Sequence, residues 1–311
     1  MKVFDSIEQY QSESQSAVLT IGTFDGVHIG HQTIIKRLNQ IKDSHREKST
    51  ILTFFPHPRR ILDHSNDIKM LTTMEEKIML LERFGLNQLI IEPFTQEFSK
   101  LSALDFVRNI LVNRISVKKL VIGYDHQFGK NREGNFDQLS EYGELYGFSV
   151  EKIPAQEVQK VSVSSTKIRK AIESGDIETA YHYLGYHYLL TGKIVKGQGL
   201  GRKINFPTVN LKIEESYKLI PKKGVYIVRC HFEGHSINGI MNIGFRPTVG
   251  GQGKTIEIHL LDFQGDLYNK KMQVEVLHRM RDETKFSSVE VLAKQIAHDE
   301  SVAREWLSNF K

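Results

Sequence analysis

Residues 22–31 read GTFDGVHIGH and follow directly on the apolar run Ala17–Ile21. A strand that opens through glycines into a helix offers free backbone N–H groups, and glycine lets a bulky anion approach the main chain closely. His28 and His31 would add ring N–H donors where the negative charge of a triphosphate grows during reaction. The stretch therefore predicts a strand, a phosphate-binding loop and a helix in succession.

The composition indicates a globular protein with two domains. The chain has 311 residues, 40% of them hydrophobic and 25% charged, which is enough for two separate cores. Its one cysteine, Cys230, excludes an intramolecular disulfide and a cysteine-based metal cluster, and it fits a reducing compartment. The formal net charge of +5 does not decide between anionic small molecules and nucleic acid as partners.

The location follows from what the sequence lacks. No apolar run approaches the ~20 residues of a membrane span, and the first residues have no signal-peptide core. We therefore expect a cytoplasmic protein with no membrane partner.

Residues 1–183 alternate β-branched runs with amphipathic ones, which predicts a parallel sheet with helical crossovers. In such a sheet, ligands bind beyond the carboxyl ends of the strands. His28, His57 in TFFPHP and the GYDHQFG stretch (residues 123–129) each follow a predicted strand, so we expect them at one mouth. The predicted strands are Ala17–Gly22, Ser49–Phe54, Gln88–Ile91, Leu120–Gly123 and Phe148–Ile153, and the predicted helices lie near 31–43, 74–84, 102–113 and 137–146.

The second part of the chain, residues 184–311, has a different pattern. From Tyr186 to His278 short strands alternate with Gly, Asn and Pro turns, and helical periodicity returns over Ser288–Asn309. This pattern predicts a small antiparallel barrel closed by a terminal helix, with the domain boundary near Leu184–Tyr188.

A second phosphate-binding candidate is SSTKIR, residues 164–169. Arg169 can meet a phosphate with its rigid fork of donors, while Ser165 and Thr166 donate at a helix start. The GxHxGH core of the first stretch, followed by this element, resembles the nucleotidyltransferase superfamily. That resemblance implies transfer of a nucleotidyl group from a triphosphate with release of pyrophosphate.

Other residues near these motifs have either a structural or a ligand-binding interpretation. His57 lies between two prolines and is either part of a rigid turn or a phosphate ligand. Asp25 either caps the helix that begins near Gly30 or positions nucleotide or metal. Asp125 and Phe128, at a strand end, suit an adenine or another planar ring.

The second domain has its own glycine-rich stretch, KGQGLGRKINFPTVN (residues 196–210). It is either a hairpin turn with a solvated basic tip or a loop that closes over phosphates. Thr208 and Asn210 lie two apart on a strand predicted to start at Pro207, so they share a face and offer oxygen ligands to magnesium. Glu257 is either a general base for a substrate hydroxyl or a surface strand residue in a cross-strand ion pair.

The segments FPTVN, NIGFRPT, EIHLLDF, DLY and RDETKF resemble the riboflavin kinase family, a six-stranded barrel that phosphorylates riboflavin with MgATP. From the first strand to the last helix, the chain is similar to the bacterial bifunctional riboflavin kinase/FMN adenylyltransferase (FAD synthetase) family. The resemblance implies a Rossmann-like nucleotidyltransferase domain over 1–183 and an antiparallel kinase barrel with a terminal helix over 184–311. It also implies that riboflavin, FMN, FAD and ATP are the small-molecule partners and that magnesium accompanies ATP.

The resemblance also implies roles for individual residues. His28 and His31 match the histidines that bind ATP phosphates and stabilise the transition state, and Glu257 matches the base for the ribityl 5′-hydroxyl. Thr208 and Asn210 match the magnesium residues, while Asp125, Phe128 and Arg281 are the flavin candidates. The residues assigned to ATP or its phosphates are Gly22, Phe24, Asp25, Gly30, His57, Ser165, Thr166, Arg169, Gly199 and Arg202.

The sequence departs from the family pattern at His126 and Gln127, where a Phe-Arg pair is usual, and at Asn205 and Val209, where glycine and alanine are usual. Asn205 can adopt a positive φ better than most residues, and Val209 adds bulk on the face opposite Asn210. These departures leave open an adenylyltransferase whose barrel binds flavin without kinase turnover.

Further alternatives are less well supported by the sequence. An RNA-binding or flavin-sensing protein is one, although the chain has no dense run of Lys and Arg interleaved with aromatics. A cytidylyltransferase would leave the second domain unexplained.

Overall fold

The structure, a computed structural model, divides by its internal contacts into two units. One comprises Met1–Met70 with Met74–Ser165, and the other comprises Leu71–Thr73 with Thr166–Lys311. The structure describes residues 1–10, 17–42, 47–62, 68–123, 127–153, 163–197, 201, 206–248 and 251–310, with the side chains of 245–248 and 251–253 left out.

The first unit contains a six-stranded sheet in which all neighbouring strands are parallel. Its order, β1-β4-β3-β2-β5-β6, places β2 and β3 in the interior, and all five residues of β2 are buried. This burial follows from helices covering both faces of a parallel sheet. The strands are β1 (Lys2–Phe4), β2 (Ala17–Ile21), β3 (Lys48–Phe55), β4 (Gln88–Pro93), β5 (Val117–Ile122) and β6 (Ser149–Lys152).

Helices connect these strands as the alternating pattern predicted. The helix at 102–113 is partly a π-helix, a feature that amphipathic periodicity does not reveal. Strand β5 starts three residues before the predicted Leu120, at Val117, and the short β1 and the helix after it were not predicted from the sequence. The helices are α1 (Ile7–Tyr10), α2 (Ile29–Gln40), α3 (Pro58–Leu62), α4 (Met74–Arg83), α5 (Ala103–Asp105, continued by the π-helical Phe106–Val112) and α6 (Phe136–Tyr146).

The second unit is built around a closed six-stranded antiparallel barrel of order β10-β11-β8-β7-β12-β9. Closure leaves the sheet with no free edge. The α/β-plus-barrel fold class is therefore confirmed. The strands are β7 (Tyr188–Val195), β8 (Val209–Lys212), β9 (Gly224–Phe232), β10 (His235–Thr248), β11 (Gly251–Leu260) and β12 (Lys271–Arg281).

Three helices accompany the barrel: α7 (Ser165–Ser174), α8 (Ile177–Leu184) and the terminal α9 (Val289–Asn309). The side chain of Ser288 caps α9 by accepting the N–H of Val291. Ala303 on α9 is buried in a cluster with Val225 and Leu277 of the barrel, and Trp306 packs against the same cluster. The predicted terminal helix thus covers one outer face of the barrel.

The proposed division of function at residues 183/184 stays a prediction, since the contact-defined units separate earlier, between Ser165 and Thr166. Among the described residues, no helix combines the length and the apolar character needed to cross a membrane.

Candidate active sites

The loop between β2 and α2 has an unusual backbone. Phe24, Gly26 and Val27 have φ angles of 47°, 81° and 34°, in the left-handed region that only glycine enters without strain. A non-glycine residue, above all a β-branched one, stays there only when its surroundings hold it. The GTFDGVHIGH loop is therefore fixed by contacts from elsewhere in its unit.

Three side chains supply those contacts by donating to loop carbonyls. Lys77 Nζ and Thr53 Oγ1 donate to the carbonyl oxygen of Thr23 at 2.7 and 3.3 Å. Ser165 Oγ donates to the carbonyl oxygen of Asp25 at 3.0 Å. The carbonyls of Thr23 and Asp25 are thus hydrogen-bonded to side chains from outside the loop.

The two predicted histidines lie together at the start of α2. Their rings stack with centroids 3.6 Å apart, and the His31 ring also lies 4.6 Å from that of Phe24. His28 is 6% exposed and occupies the N-cap position with an extended backbone, without a side-chain capping bond. Nδ1 of His31 is buried and has no hydrogen-bond partner in the part of the chain that the structure describes.

Burial lowers the pKa of His31 well below its ordinary value, and the neighbouring charges of His28 and Lys77 lower that pKa further. The ring is therefore neutral at pH 7, with one N–H donor and one acceptor nitrogen. A neutral donor can bind a phosphate oxygen without changing protonation state in the physiological range.

Asp25 and Phe24 are buried, at 1% and 2% exposure. The helix-cap interpretation of Asp25 is wrong, because the N-cap is His28 and the helix begins at Ile29. Gly22 donates its N–H to the carbonyl of Leu52 at 3.1 Å, and Gly30 is buried in the first turn of α2. Their predicted contacts with ATP stay predictions.

His57 follows β3, as the sequence predicted, and precedes the short helix α3, which was not predicted. Its Nδ1 accepts the N–H of Arg59 at 3.2 Å, and its carbonyl accepts the N–H of Arg60 at 2.8 Å. An accepting Nδ1 places the proton of the neutral ring on Nε2. The turn interpretation is thus present in the structure, and the phosphate role stays a prediction.

The SSTKIR motif begins α7: Ser164 precedes the helix and Ser165 is its first residue. Ser165 holds the first loop as described above. Thr166 is exposed and Arg169 half-buried, and both belong to the second unit. The phosphate roles of all three residues stay predictions.

Lys77 is a candidate functional residue that the sequence analysis missed. It lies on α4, is 4% exposed and contacts the carbonyl of Thr23. The sequence did contain a signal, since Leu80 and Leu81 follow it at the three- and four-residue spacing of one helix face. A lysine on the apolar side of a helix is an anomaly that could have been noticed.

Phe128 is buried at 7% and belongs to a chain of aromatic contacts. Its ring centroid lies 5.9 Å from that of Phe106, which contacts Phe98 at 6.1 Å, and Phe98 contacts Phe54 at 5.4 Å. A side chain on Gly134 would overlap the Phe128 ring, so the ring is wedged in place. The other flavin candidate of this domain, Asp125, lies outside the described residues, as does His126.

In the barrel, Asn210 and Glu257 are direct cross-strand partners between β8 and β11. Directly opposite residues point to the same face of a sheet. Asn242 of β10 is the partner of Glu257 on its other side, so three polar side chains lie in one row. Their neighbours Ile258 and Met241 are fully buried inside the barrel, which places the row on its outer face.

Thr208 and Asn210 lie two residues apart, but the predicted strand start at Pro207 is wrong, because β8 begins at Val209. Pro207 has no N–H to donate to a ladder, which explains the later start. Val209 pairs with the buried Ile258, on the face opposite Asn210. Its extra bulk is therefore directed away from the polar row.

Two glycines of the basic loop lie against the predicted magnesium residues. A Cβ on Gly197 would overlap the amide of Asn210, and one on Gly201 would overlap the carbonyl of Phe206 and lie 3.3 Å from Thr208 Oγ1. A side chain at either position would therefore displace its neighbour, the amide of Asn210 or the carbonyl of Phe206. Gly199, Arg202 and Asn205 lie outside the described residues.

No group of three or more His, Cys, Asp or Glu side chains in the described part of the chain is placed to hold a metal ion. The donor set of the barrel, a hydroxyl and an amide beside a carboxylate, is suited to magnesium, which takes few protein ligands and several from phosphate and water. The close packing of Gly197 and Gly201 positions these donors. The residues present therefore fit magnesium bound with a nucleotide.

Arg281, the third flavin candidate, is held by α9. Its Nε and Nη2 donate to the two carboxylate oxygens of Asp299 at 2.9 and 2.6 Å. Asp299 is 4% exposed, so this is a largely buried bidentate pair. The pair joins the end of β12 to the terminal helix, and the flavin role of Arg281 stays a prediction.

Known proteins resemble the chain along almost its whole length. Residues 10–167 match the FAD synthetase family model and residues 184–307 match the riboflavin kinase family model. The bifunctional riboflavin kinase/FMN adenylyltransferase of Haemophilus influenzae is 36% identical over 296 residues, covering 95% of this chain and 96% of that protein. The chain belongs to the bifunctional riboflavin kinase/FMN adenylyltransferase family. The resemblance stated from the sequence is thereby confirmed.

Other similar proteins also match the chain along nearly its whole length. The family member of Escherichia coli strain K12 is 35% identical over 297 residues, covering 95% of this chain and 94% of that protein. Among solved structures, a Streptococcus pneumoniae protein described as a macrolide-efflux protein is 29% identical, with a TM-score of 0.88 and 98% of each chain covered. The matches to both family models mean that the chain has both enzyme domains of the bifunctional family.

Proposed function

We propose that this enzyme phosphorylates riboflavin to FMN with ATP and then adenylylates FMN to FAD with release of pyrophosphate. The observation that carries the proposal is the stacked pair of His28 and His31 at the start of α2, beside a loop whose carbonyls accept hydrogen bonds from three side chains. The kinase step is supported by the cross-strand pair of Asn210 and Glu257, which brings a candidate magnesium ligand and a candidate general base side by side. The cytoplasm is the expected location.

For adenylyl transfer, an oxygen of the FMN phosphate attacks the α-phosphorus of ATP, and the bond to the β-phosphate oxygen breaks. The chain needs no nucleophile of its own, because the attacking group is already an anion. His31, neutral and rigidly stacked, and His28 donate to the phosphate oxygens as negative charge moves towards pyrophosphate. His57 and Ser165 are the further phosphate ligands of this unit, and Gly22 and Gly30 keep the backbone open to the anion. Thr166 and Arg169 are predicted to bind phosphate at the first turns of α7.

The flavin of adenylyl transfer is a planar ring that stacks on aromatic side chains. Phe54 and Phe98, the partly buried members of the contact chain with Phe106 and Phe128, supply rings of this kind. Phe128 is the member that the sequence analysis assigned to flavin.

For the kinase step, Glu257 accepts the proton of the ribityl 5′-hydroxyl. The hydroxyl oxygen bonds to the γ-phosphorus of ATP, the bond from the γ-phosphorus to the β-phosphate oxygen breaks, and ADP leaves. Thr208 and Asn210 would hold magnesium, which neutralises charge on the transferred phosphoryl group. Asn242 lies directly opposite Glu257 and can orient its carboxylate. The narrower function, adenylyl transfer alone, is not favoured, because the riboflavin kinase match spans the barrel and Glu257 retains its place beside Asn210.

A time course tests the proposal. The purified chain is incubated with riboflavin, ATP and magnesium, and the flavins are separated by chromatography. FMN should appear first and FAD should follow. Untouched riboflavin would contradict the kinase activity, and supplied FMN that does not become FAD would contradict the adenylyltransferase activity.

The substitution Gly197→Ala should lower riboflavin phosphorylation at least about tenfold, because a small displacement of a positioned group costs a large factor in rate. The added methyl group must displace the amide of Asn210. Formation of FAD from supplied FMN, measured on the same preparation, should stay within about twofold.

The matched control is Gly234→Ala, since a Cβ on Gly234 meets nothing within 4 Å. This variant should keep its riboflavin phosphorylation even if its φ of 81° costs some stability. Equal kinase rates for both variants would mean that Asn210 needs no fixed position.

A further inference from the structure

Lys77 is placed where a charged side chain is rarely found. It is 4% exposed on α4, whose residues Leu80 and Leu81 are fully buried on the same side. Removing an ammonium group from water is costly unless the site returns electrostatic interactions. The groups that surround the amino group of Lys77 must therefore explain why this buried position holds a lysine and not a leucine.

The amino group lies against the GTFDGVHIGH loop. Nζ donates to the carbonyl oxygen of Thr23 at 2.7 Å, which is its one hydrogen bond among the residues that the structure describes. An ammonium group has three N–H donors, so two are not used by that part of the chain. The loop would be anchored equally well by a neutral donor such as the hydroxyl of Thr53, which binds the same carbonyl. The positive charge therefore needs a separate explanation.

The charged and titratable groups that face Lys77 belong to the candidate active site. The carboxylate of Asp25, in the loop, interacts favourably with its charge. His31, on α2, is neutral, and the charge of Lys77 is one of the reasons. His28 stacks on His31 at 3.6 Å. The lysine thus places a cation close enough to His31, one of the two histidines proposed to bind the triphosphate, to lower its pKa.

We propose that Lys77 is a positioning residue for adenylyl transfer: its ammonium fixes the strained loop through Thr23 and adds positive charge at the triphosphate site beside His31. The inference rests on the proposed adenylyltransferase function and assigns it a residue outside the HxGH and SSTKIR motifs. A lysine that served only to hold the fold of its own unit would lower FAD formation without a pH dependence that follows the protonation of its amino group.

The protonation of Lys77 provides a readout that separates these roles. Burial lowers the pKa of Lys77 to about 8, and the charge of Asp25 opposes that effect only in part. In the free enzyme the cation is present below pH 8 and is lost as the pH rises above it. The kcat/KM of FAD formation for ATP should therefore fall about tenfold per pH unit above that pKa. His31 is neutral across this range and adds no change of its own.

The experiment compares wild type, Lys77→Arg, Lys77→Met and the control Lys118→Met, which removes one positive charge from an exposed position on β5. FAD formation from FMN is measured against ATP concentration from pH 6.5 to 9.5, and riboflavin phosphorylation is measured on each preparation. Lys77→Met should lower kcat/KM for ATP about a hundredfold at pH 7, with kinase activity within about twofold. Lys77→Arg, whose charge does not titrate, should lack the fall above pH 8.

The inference is overturned if Lys77→Met matches wild type in FAD formation, or if Lys77→Arg keeps the same alkaline fall. If Lys77→Met loses both activities through unfolding, the pH profile of Lys77→Arg decides alone. Lys118→Met should match wild type throughout, and a similar loss there would mean that net charge rather than position matters. A wild type that makes no FAD at any pH would contradict the proposed function instead of this inference.

Discussion

His31→Ala should lower the kcat of FAD formation from FMN by about a thousandfold, the upper range for loss of one preorganised donor to a developing anion. Its ring is stacked on that of His28, with the centroids 3.6 Å apart, and is neutral, so it donates without proton uptake. Removing it also takes away the surface on which His28 stacks. The measurement is steady-state FAD formation with saturating FMN and ATP.

Two controls accompany this variant. Riboflavin phosphorylation by His31→Ala should stay within about twofold of wild type, because the barrel has its own core and polar row. His182→Ala removes an exposed histidine of α8 and should leave both activities unchanged. Full kcat in His31→Ala would mean that the HxGH pair does not stabilise the transition state, and the proposed mechanism would be wrong.

The site around His28 and His31 was predictable in part, because the elements that form it are close together in the sequence. A strand, a glycine loop and a helix follow one another within residues 17–40, so periodicity and glycine positions were sufficient to place His28 and His31. The surroundings of His31 were not predictable in this way. Its ring contacts that of Phe24, whose φ is 47°, and its pKa is lowered by the charge of Lys77, which lies 46 residues later in the chain.

The second site shows a different limit. That Glu257 and Asn210 are neighbours depends on the pairing of β8 with β11, and β-strand register is set by barrel closure rather than by either segment. For the same reason Asn242 had no signal in the sequence, although it stands directly opposite Glu257. Arg281 was assigned to flavin without any indication that Asp299, on α9, would bind its guanidinium.

Glu257→Gln should lower the kcat of riboflavin phosphorylation by about a thousandfold, within the range expected for loss of a general base. Glutamine keeps the size of the side chain and its place between Asn210 and Asn242, but its amide cannot take the proton of the attacking hydroxyl. Because ground-state contacts are preserved, KM for riboflavin should change little. The assay follows FMN formation from riboflavin and MgATP under saturating conditions.

The same Glu257→Gln preparation should convert supplied FMN to FAD at the wild-type rate, and an unchanged KM for riboflavin shows that the barrel itself is folded. Glu305→Gln, on the exposed side of α9, removes an equal charge outside the polar row and should keep both activities. If Glu257→Gln still phosphorylates riboflavin at the wild-type rate, Glu257 is a surface strand residue and the base lies elsewhere. If instead KM for riboflavin rises while kcat is unchanged, the carboxylate binds the ribityl chain in the ground state and does not act on its proton.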